Sequence, residues 1–141
     1  MTRRGTPEAD LQRAVVRALR VALPRTAIIH HCPNEVAEPG PPGAKRQAIL
    51  VGMGVHAGFA DLMVLCEGRV LFLELKSRKG KLSSAQEAFR DTVMAQGFGW
   101  VLVRRLDDAL GALADHGFTT RVVASDTTRP AASGPAWRVA P

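Results

Sequence analysis

The sequence contains no tyrosine, and aromatic residues make up only 5% of its 141 residues. Any hydrophobic core must therefore be built mainly from aliphatic side chains. No uninterrupted apolar run approaches the roughly 20 residues that a membrane-spanning helix needs, so we expect no membrane segment. A glycine-rich loop of the kind that holds a nucleotide phosphate is also missing. Its absence argues against a small-molecule enzyme that uses a nucleotide.

Cysteine is scarce as well. Cys32 and Cys66 are the only two, and they do not have the spacing of a metal-ligand pair. We expect reduced structural thiols rather than a disulfide. Arg3 and Arg4 lead into a stretch with Glu8 rather than into the apolar core of a signal peptide. The default expectation is a cytoplasmic protein.

Basic residues outnumber acidic ones. Lys and Arg total 19 against 13 for Asp and Glu, which gives a formal net charge of +6. This balance favours a polyanionic partner, and a basic protein without such a partner is the alternative on charge alone. The length and the 46% apolar content suit one domain with its own core.

The order of helical and strand-like patterns predicts the fold class. Thr6 and Pro7, followed by acidic residues, are typical of a helix start, and Pro24 closes that helix. The further elements are a strand at 27–30, a proline-rich loop at 32–43, a short basic helix at 45–53, a hairpin at 61–76, a helix from Ser83 or Ser84 to about Gln96, a strand at 100–103 and a helix at 106–115. Together they predict an α/β fold, a single domain with a mixed β-sheet flanked by helices.

The domain is expected to span residues 1–118. Residues 119–141 are expected to form a C-terminal extension, with a strand-like stretch at 119–124 before a mobile tail rich in Pro, Ala, Ser and Thr.

Two opposite charges lie inside an apolar run at residues 70–76. Glu74 and Lys76 stand two residues apart there, and burying unpaired charges is costly. Asp61 opens the apolar run just before it, and Glu67-Gly68 is a turn-forming pair between the two runs.

The hairpin register decides how these charges meet. If Glu67 and Gly68 are the two turn residues, Asp61 lies directly across from Glu74, with Cβ atoms about 4.5–5.5 Å apart, and Lys76 shares that face. Facing carboxylates repel each other unless a cation lies between them, and Mg²⁺ takes oxygen ligands together with water and phosphate. A register shifted by one residue would separate them. The simpler alternative is a salt bridge between Glu74 and Lys76 on an edge strand.

Three motifs in this order resemble a known family. They are GFAD at 58–61, ELK at 74–76 and KGKLSSAQ at 79–86, and the combination is similar to the VRR-NUC branch of the PD-(D/E)XK nuclease superfamily. The family pattern also has an acidic residue on the first helix, which Glu8 matches. The likeness covers residues 6–113 and departs from the pattern at Ala60, where the family commonly has proline.

The resemblance implies a restriction-endonuclease-like core and Mg²⁺- or Mn²⁺-dependent phosphodiester hydrolysis on DNA. Asp61, Glu74 and the Leu75 carbonyl would ligate the metal, Glu8 would support it, and Lys76 would assist the attacking water. Small stand-alone members are phage and bacterial proteins, some of which act on branched DNA as dimers.

Gln86 has two interpretations. Ser83-x-x-Gln86 is a capping box pattern, whereas the resemblance makes Gln86 an active-site residue that contacts Lys76 or the substrate, and the two are compatible. The histidines His30, His31 and His56 have no metal-ligand spacing, so we expect loop positions facing solvent or DNA.

The leading hypothesis is a metal-dependent DNA endonuclease, for which the resemblance implies branched or junction DNA as a substrate. The alternative is a non-catalytic DNA-binding module with the same fold. Candidate phosphate contacts are Lys45, Arg46, Arg78, Lys79 and Lys81. We also expect a two-fold symmetric homodimer, because the apolar faces of the helices at 11–23 and 106–113 exceed what the cover of one sheet accounts for.

Overall fold

The computed structural model describes residues 5–33 and 39–121. Eight elements follow in order: α1 (Pro7–Ala22), β1 (Ile28–His31), α2 (Gly40–Gly52), β2 (Leu62–Cys66), β3 (Arg69–Leu75), α3 (Ser84–Ala95), β4 (Gly99–Val103) and α4 (Leu106–Asp115). The strands form one sheet in the order β1-β2-β3-β4. The first two pairings are antiparallel and β3-β4 is parallel, which confirms the predicted α/β fold with a mixed sheet.

Two apolar clusters lie on opposite faces of this sheet. The larger cluster joins α1 and α4 to alternate residues of β2 and β3, such as Leu62, Leu71 and Leu73. The smaller cluster lies under α3 and contains Phe72 and Phe89. Successive residues of a strand point to opposite faces, so β3 supplies both clusters. The result is three layers, with the sheet between α1 and α4 on one side and α3 on the other.

The helix faces that prompted the dimer prediction are part of this core. Val15, Leu19 and Leu23 have no exposed surface, nor does Leu113 at the other helix. They pack against each other and against the sheet within one chain. Most of the apolar surface that was counted as surplus on α1 and α4 is therefore core, because the inference left out the contact between the two helices; Val21, Leu106 and Leu110 stay exposed.

The second helix begins earlier than predicted. Residues 40–43 were expected to be loop, yet α2 starts at Gly40, and its prolines occupy the first turn. Proline is tolerated there because the first N–H groups of a helix have no partner within the helix. Only Gly43 of α2 is buried, and Ile49 and Met53 are 52% and 80% exposed.

The hairpin turn confirms the predicted register. Glu67 and Gly68 have φ angles of 50° and 75°, as a type I′ turn requires. Leu62 pairs with Leu73, and Cys66 with Arg69. The turn is short enough that no other register is compatible with it.

The end of the described chain differs from the sequence prediction. Residues 119–121 form no strand, and the Arg121 N–H donates to the carbonyl of Ala22 at the end of α1. The rest of the predicted strand-like stretch and the tail, residues 122–141, lie outside the described residues. Within the described part of the chain, no helix has both the length and the apolarity to cross a membrane.

Candidate active site

The hairpin brings Asp61 and Glu74 to the same end of the sheet. Asp61 immediately precedes β2, and the observed pairing of Leu62 with Leu73 extends to Asp61 opposite Glu74. Asp61 Oδ2 accepts a hydrogen bond of 2.7 Å from the Leu75 N–H. The Asp61 carbonyl accepts another, of 2.8 Å, from the Cys32 N–H. Both the backbone and the side chain of Asp61 are therefore held in place.

Glu74 is buried near the end of an interior strand. It is 1% exposed, and β3 pairs with β2 on one side and with β4 on the other. The edge-strand premise of the salt-bridge alternative is therefore wrong. A buried carboxylate needs hydrogen-bonding partners, and the Gln86 side chain donates to Glu74 Oε1 over 2.8 Å.

Gln86 confirms the capping box, and its second contact differs from the one that the resemblance implied. Ser83 Oγ accepts from the Gln86 N–H at 3.2 Å, and Gln86 Oε1 accepts from the Ser83 N–H at 2.9 Å, which completes the capping box. The amide nitrogen of the same side chain goes to Glu74, where the resemblance had predicted Lys76 or the substrate. One glutamine thus joins the start of α3 to a buried acid of β3.

The glycine of the GFAD motif allows a close approach between the site and α3. Gly58 has a φ angle of +75°, and a Cβ there would collide with the carbonyl of Ala85. Only glycine satisfies both the backbone conformation and the space. Ala60, which replaces the family's proline, is fully buried in the cluster under α3. The segment before Asp61 is therefore packed firmly without the proline.

Glu8 reaches the site from the first turn of α1. Its Oε1 accepts a 3.2 Å hydrogen bond from the Ser77 N–H, just after β3. A Cβ added at Gly80 would lie 3.4 Å from both Glu8 Oε1 and Lys76 Cδ. Glu8 and the half-buried Lys76 side chain thus meet at the same loop, although they are 68 residues apart in the sequence.

A cleft of about 400 Å³ opens beside Asp61, and we call it the active-site cleft; Glu74, Lys76 and Gln86 are not among the residues that line it. Glu8, Asp61 and Leu75 line it, together with Thr6, Ala9, Gln12, His31, Cys32, Pro33 and Phe59. Its carboxylates and backbone are oxygen donors, which suit a hard cation such as Mg²⁺. No group of three or more His, Cys, Asp or Glu side chains in the described residues is arranged to hold a metal ion by itself. The carboxylates of Glu8 and Asp61 and the backbone of Leu75 fit Mg²⁺ only as part of a shell that water and substrate oxygens complete, as is common for this ion.

His31 is a cleft residue that the sequence did not identify. It lies on β1 rather than in a loop, as does His30, and its Nδ1 is 3.0 Å from the Asp61 carbonyl oxygen. Its only sequence signal is its position at the end of a strand candidate. His56, by contrast, is exposed after α2, with its Nδ1 2.8 Å from the Ala57 carbonyl oxygen.

Arg104 is a second residue that the sequence did not identify. It follows β4, and its Nη1 lies 2.7 Å, 3.3 Å and 2.8 Å from the carbonyl oxygens of Ser77, Arg78 and Gly80. These contacts hold the loop that also carries the Ser77 N–H to Glu8. No spacing rule connects residues more than 20 positions apart, so the sequence contained no signal for this contact.

The predicted basic residues fall into two groups. Arg78, Lys79 and Lys81 are exposed on the loop that Arg104 holds, next to the cleft. Lys45 and Arg46 are exposed on α2, which leads through residues 53–57 to the GFAD motif. The structure thus places the first group beside the acidic residues and the second on a separate helix.

The two cysteines are free, as predicted. Burial, reinforced by the charge of Asp61, raises the pKa of the Cys32 thiol above its ordinary value. Burial and then Glu67 raise the pKa of Cys66 in the same way. Both side chains therefore stay protonated near neutral pH and are poor nucleophiles or metal ligands.

The fold has a solved relative. The chain is similar to a structure described as "VRR_NUC domain protein", with a TM-score of 0.56 and 21% sequence identity, over 80% of this chain and 89% of the other. No protein-family model and no curated protein matches the sequence. At this identity the likeness establishes the architecture. The chain therefore has the α/β fold of a VRR-NUC domain.

Proposed function

We propose that this protein is a metal-dependent endonuclease that hydrolyses phosphodiester bonds in DNA. The observation that carries the proposal is the cleft in which Glu8 and Asp61 meet the end of β3, beside the buried Glu74. Acidic residues gathered at one end of a sheet in a basic protein are suited to holding a cation against a phosphate. The likeness in fold to a VRR_NUC domain protein supports the same conclusion.

In this proposal Asp61, Glu74 and the Leu75 carbonyl hold Mg²⁺, for which Mn²⁺ substitutes, and Glu8 supports them. When bound, the ion supplies positive charge that stabilises the phosphate in the transition state and lowers the pKa of water. Gln86 orients Glu74 through its 2.8 Å hydrogen bond. Lys76 moves a proton from the attacking water or neutralises the charge that develops on the phosphate.

The exposed basic residues contribute most of the DNA affinity. Arg78, Lys79 and Lys81 bind phosphates next to the cleft, and Lys45 and Arg46 bind them from α2. Phosphate contacts of this kind are electrostatic and independent of sequence. DNA binding should therefore weaken steeply with salt.

A homodimer remains part of the proposal on a different basis. The apolar faces of α1 and α4 are mostly core, but Ile49, Val51 and Met53 are exposed at the end of α2. Cutting two strands also requires two active sites or successive rebinding. Light scattering at low micromolar concentration measures the mass. Twice the 15.1 kDa of one chain supports the dimer, and a mass equal to one chain excludes it.

The test of the activity is cleavage of labelled duplex, flap, four-way junction and single-stranded DNA, each with Mg²⁺, Mn²⁺ or EDTA. We expect cleavage of at least one substrate with either metal and none in EDTA. Lys76→Ala should lower the rate by about 100-fold or more and keep most of the DNA affinity. Binding without cleavage of any substrate would instead indicate a non-catalytic DNA-binding module.

A further inference from the structure

A second cavity adjoins the active-site cleft. It has a volume of about 280 Å³ and is lined by Cys32, Pro33, Gly54, Val55, His56 and Phe59; we call it the side cavity. We propose that the side cavity binds one unpaired nucleobase next to the scissile phosphate. The inference rests on the proposed function, because it takes the active-site cleft as the place where the phosphate lies. It assigns a ligand to the side cavity, namely a base that is unpaired at the cleavage position.

The position of the side cavity is the first argument. Cys32, Pro33 and Phe59 line both the side cavity and the active-site cleft, so the two are continuous. Phe59 stands two residues before Asp61 in the chain. A nucleotide whose phosphate lies beside Asp61 therefore has its own base, or the neighbouring one, within reach of Phe59.

The lining is the second argument. Phe59 is held by other rings, with its centroid 4.6 Å from that of Phe89 and 5.5 Å from that of Phe72. The His56 ring is fixed nearby, 5.8 Å from Phe89. Aromatic rings on a rigid base are the usual platforms on which unpaired bases stack, and such stacking tolerates any sequence. The remaining lining, from Val55 and Pro33, is apolar.

The side cavity is large enough for a nucleobase. Its volume of about 280 Å³ lies just below the range of about 300–1,000 Å³ typical of drug-sized ligands, so one planar ring system fits in it. A base in a duplex must leave its stack and its partner before it enters such a pocket, and this costs least where the base is already unpaired. Flaps, junctions and single strands supply such bases, and intact duplex does not.

A nucleobase is favoured over an apolar side chain of a partner protein for two reasons. The side cavity opens into a cleft suited to a phosphate, and the chain carries a net charge of +6. Both features match a nucleic acid strand and neither assists an apolar peptide. If a protein side chain occupied the side cavity instead, substitutions in the cavity would not change the preference for flapped over fully paired DNA. The following experiment detects this outcome.

The test compares the dissociation constants of a flapped duplex and a fully paired duplex of equal length, measured in EDTA so that no cleavage occurs. We expect wild type to bind the flapped DNA about fivefold more tightly or better, as the gain of one stacked base implies. Val55→Trp fills the side cavity and should bring this ratio close to 1 without weakening duplex binding. Met94→Trp is the matched control, since Met94 is 54% exposed on α3 and does not line the side cavity or the active-site cleft.

His56→Ala gives a second variant that removes an exposed aromatic wall without adding bulk, and it should also lower the ratio. A DNA strand with 2-aminopurine at each position in turn should show quenched fluorescence at one unpaired position with wild type and at none with Val55→Trp. Equal binding of both DNAs by wild type, or an equal loss in Met94→Trp, would overturn the inference. A preference for flapped DNA without cleavage in Mg²⁺ would support base binding in the side cavity and contradict the proposed nuclease activity. Cleavage without a preference for flapped DNA would support the nuclease activity and contradict base binding in the side cavity.

Discussion

At the residue scale, the main feature is a buried acid whose environment is built by a helix cap. Glu74 accepts a hydrogen bond from Gln86, and the same glutamine closes the capping box with Ser83. The stability of α3 and the orientation of a candidate metal ligand therefore depend on one side chain. Sequence analysis found both interpretations, because a capping box and a family motif coincide at Gln86.

Two substitutions separate these roles. Ser83→Ala removes only the cap and should lower the free energy of unfolding by about 1 kcal/mol. Gln86→Ala also removes the hydrogen-bond donor to the buried Glu74 carboxylate, and should lower the free energy of unfolding by about 1–3 kcal/mol more than Ser83→Ala does. Urea unfolding in EDTA measures both values. Equal losses in the two variants would show that the hydrogen bond to Glu74 contributes nothing to stability.

Asp61 offers a second prediction at this scale. Asp61→Asn keeps an oxygen that accepts the Leu75 N–H and removes one of two neighbouring negative charges. Its melting temperature in EDTA should therefore rise while activity is lost, as is common for active-site carboxylates. Mg²⁺ should raise the melting temperature of wild type more than that of the variant, because binding stabilises only the state that holds the ion.

Asp61→Ala is the control for that experiment. It removes the charge and the acceptor together, so its melting temperature in EDTA should fall below that of Asp61→Asn. A lowered melting temperature in Asp61→Asn, with Mg²⁺ stabilising both proteins equally, would contradict a cation site between Asp61 and Glu74.

At the element scale, local signals predicted the hairpin and the helices well. The turn at Glu67-Gly68 connects adjacent strands, so its two residues determine the pairing of the strands. The start of α2 was missed because prolines ordinarily indicate a loop, although the first turn of a helix accepts them. The contacts of His31 and Arg104 were missed for another reason. They join segments that are distant in sequence, and only the assembled sheet brings them together.

Arg104 provides the prediction for this scale, as a positioning residue of the loop after β3. Arg104→Ala should release the carbonyls of Ser77 and Gly80, and cleavage should fall by up to about 100-fold, because small displacements at a reacting site have effects of that size. Added methylguanidinium should restore part of the rate. Arg104→Lys should cleave faster than Arg104→Ala and more slowly than wild type, since an ammonium lacks the planar set of donors of a guanidinium.

Hydrogen exchange of the amides at 77–80 gives a readout that does not depend on activity. The exchange of these amides should be faster in Arg104→Ala than in wild type. Arg105→Ala is the control, because it changes the exposed neighbouring arginine, and its exchange should equal that of wild type. Unchanged exchange in Arg104→Ala, or the absence of any rescue by methylguanidinium, would show that this arginine does not position the loop.

At the scale of the whole molecule, the order of helices and strands predicted a sheet flanked by helices but not how the helices cover it. Counting apolar faces on α1 and α4 suggested surplus surface, yet the two helices bury most of that surface against each other and one face of the sheet. The fold class was predictable because the alternation of helices and strands leaves few arrangements for a chain of this length. The cleft and the side cavity were not predictable, because their walls come from α1, β1, the segment after α2 and β3 together.

The most direct test of the central claim is a single-turnover cleavage measurement with the isosteric variant Glu74→Gln. Protein in excess is bound to labelled DNA in EDTA, and the reaction is started with Mg²⁺. Wild type should then cleave the bound DNA, whereas Glu74→Gln should bind the same fraction of DNA and cleave it at least about 100 times more slowly. Cleavage by Glu74→Gln at the rate of wild type, or cleavage by wild type before Mg²⁺ is added, would contradict the account.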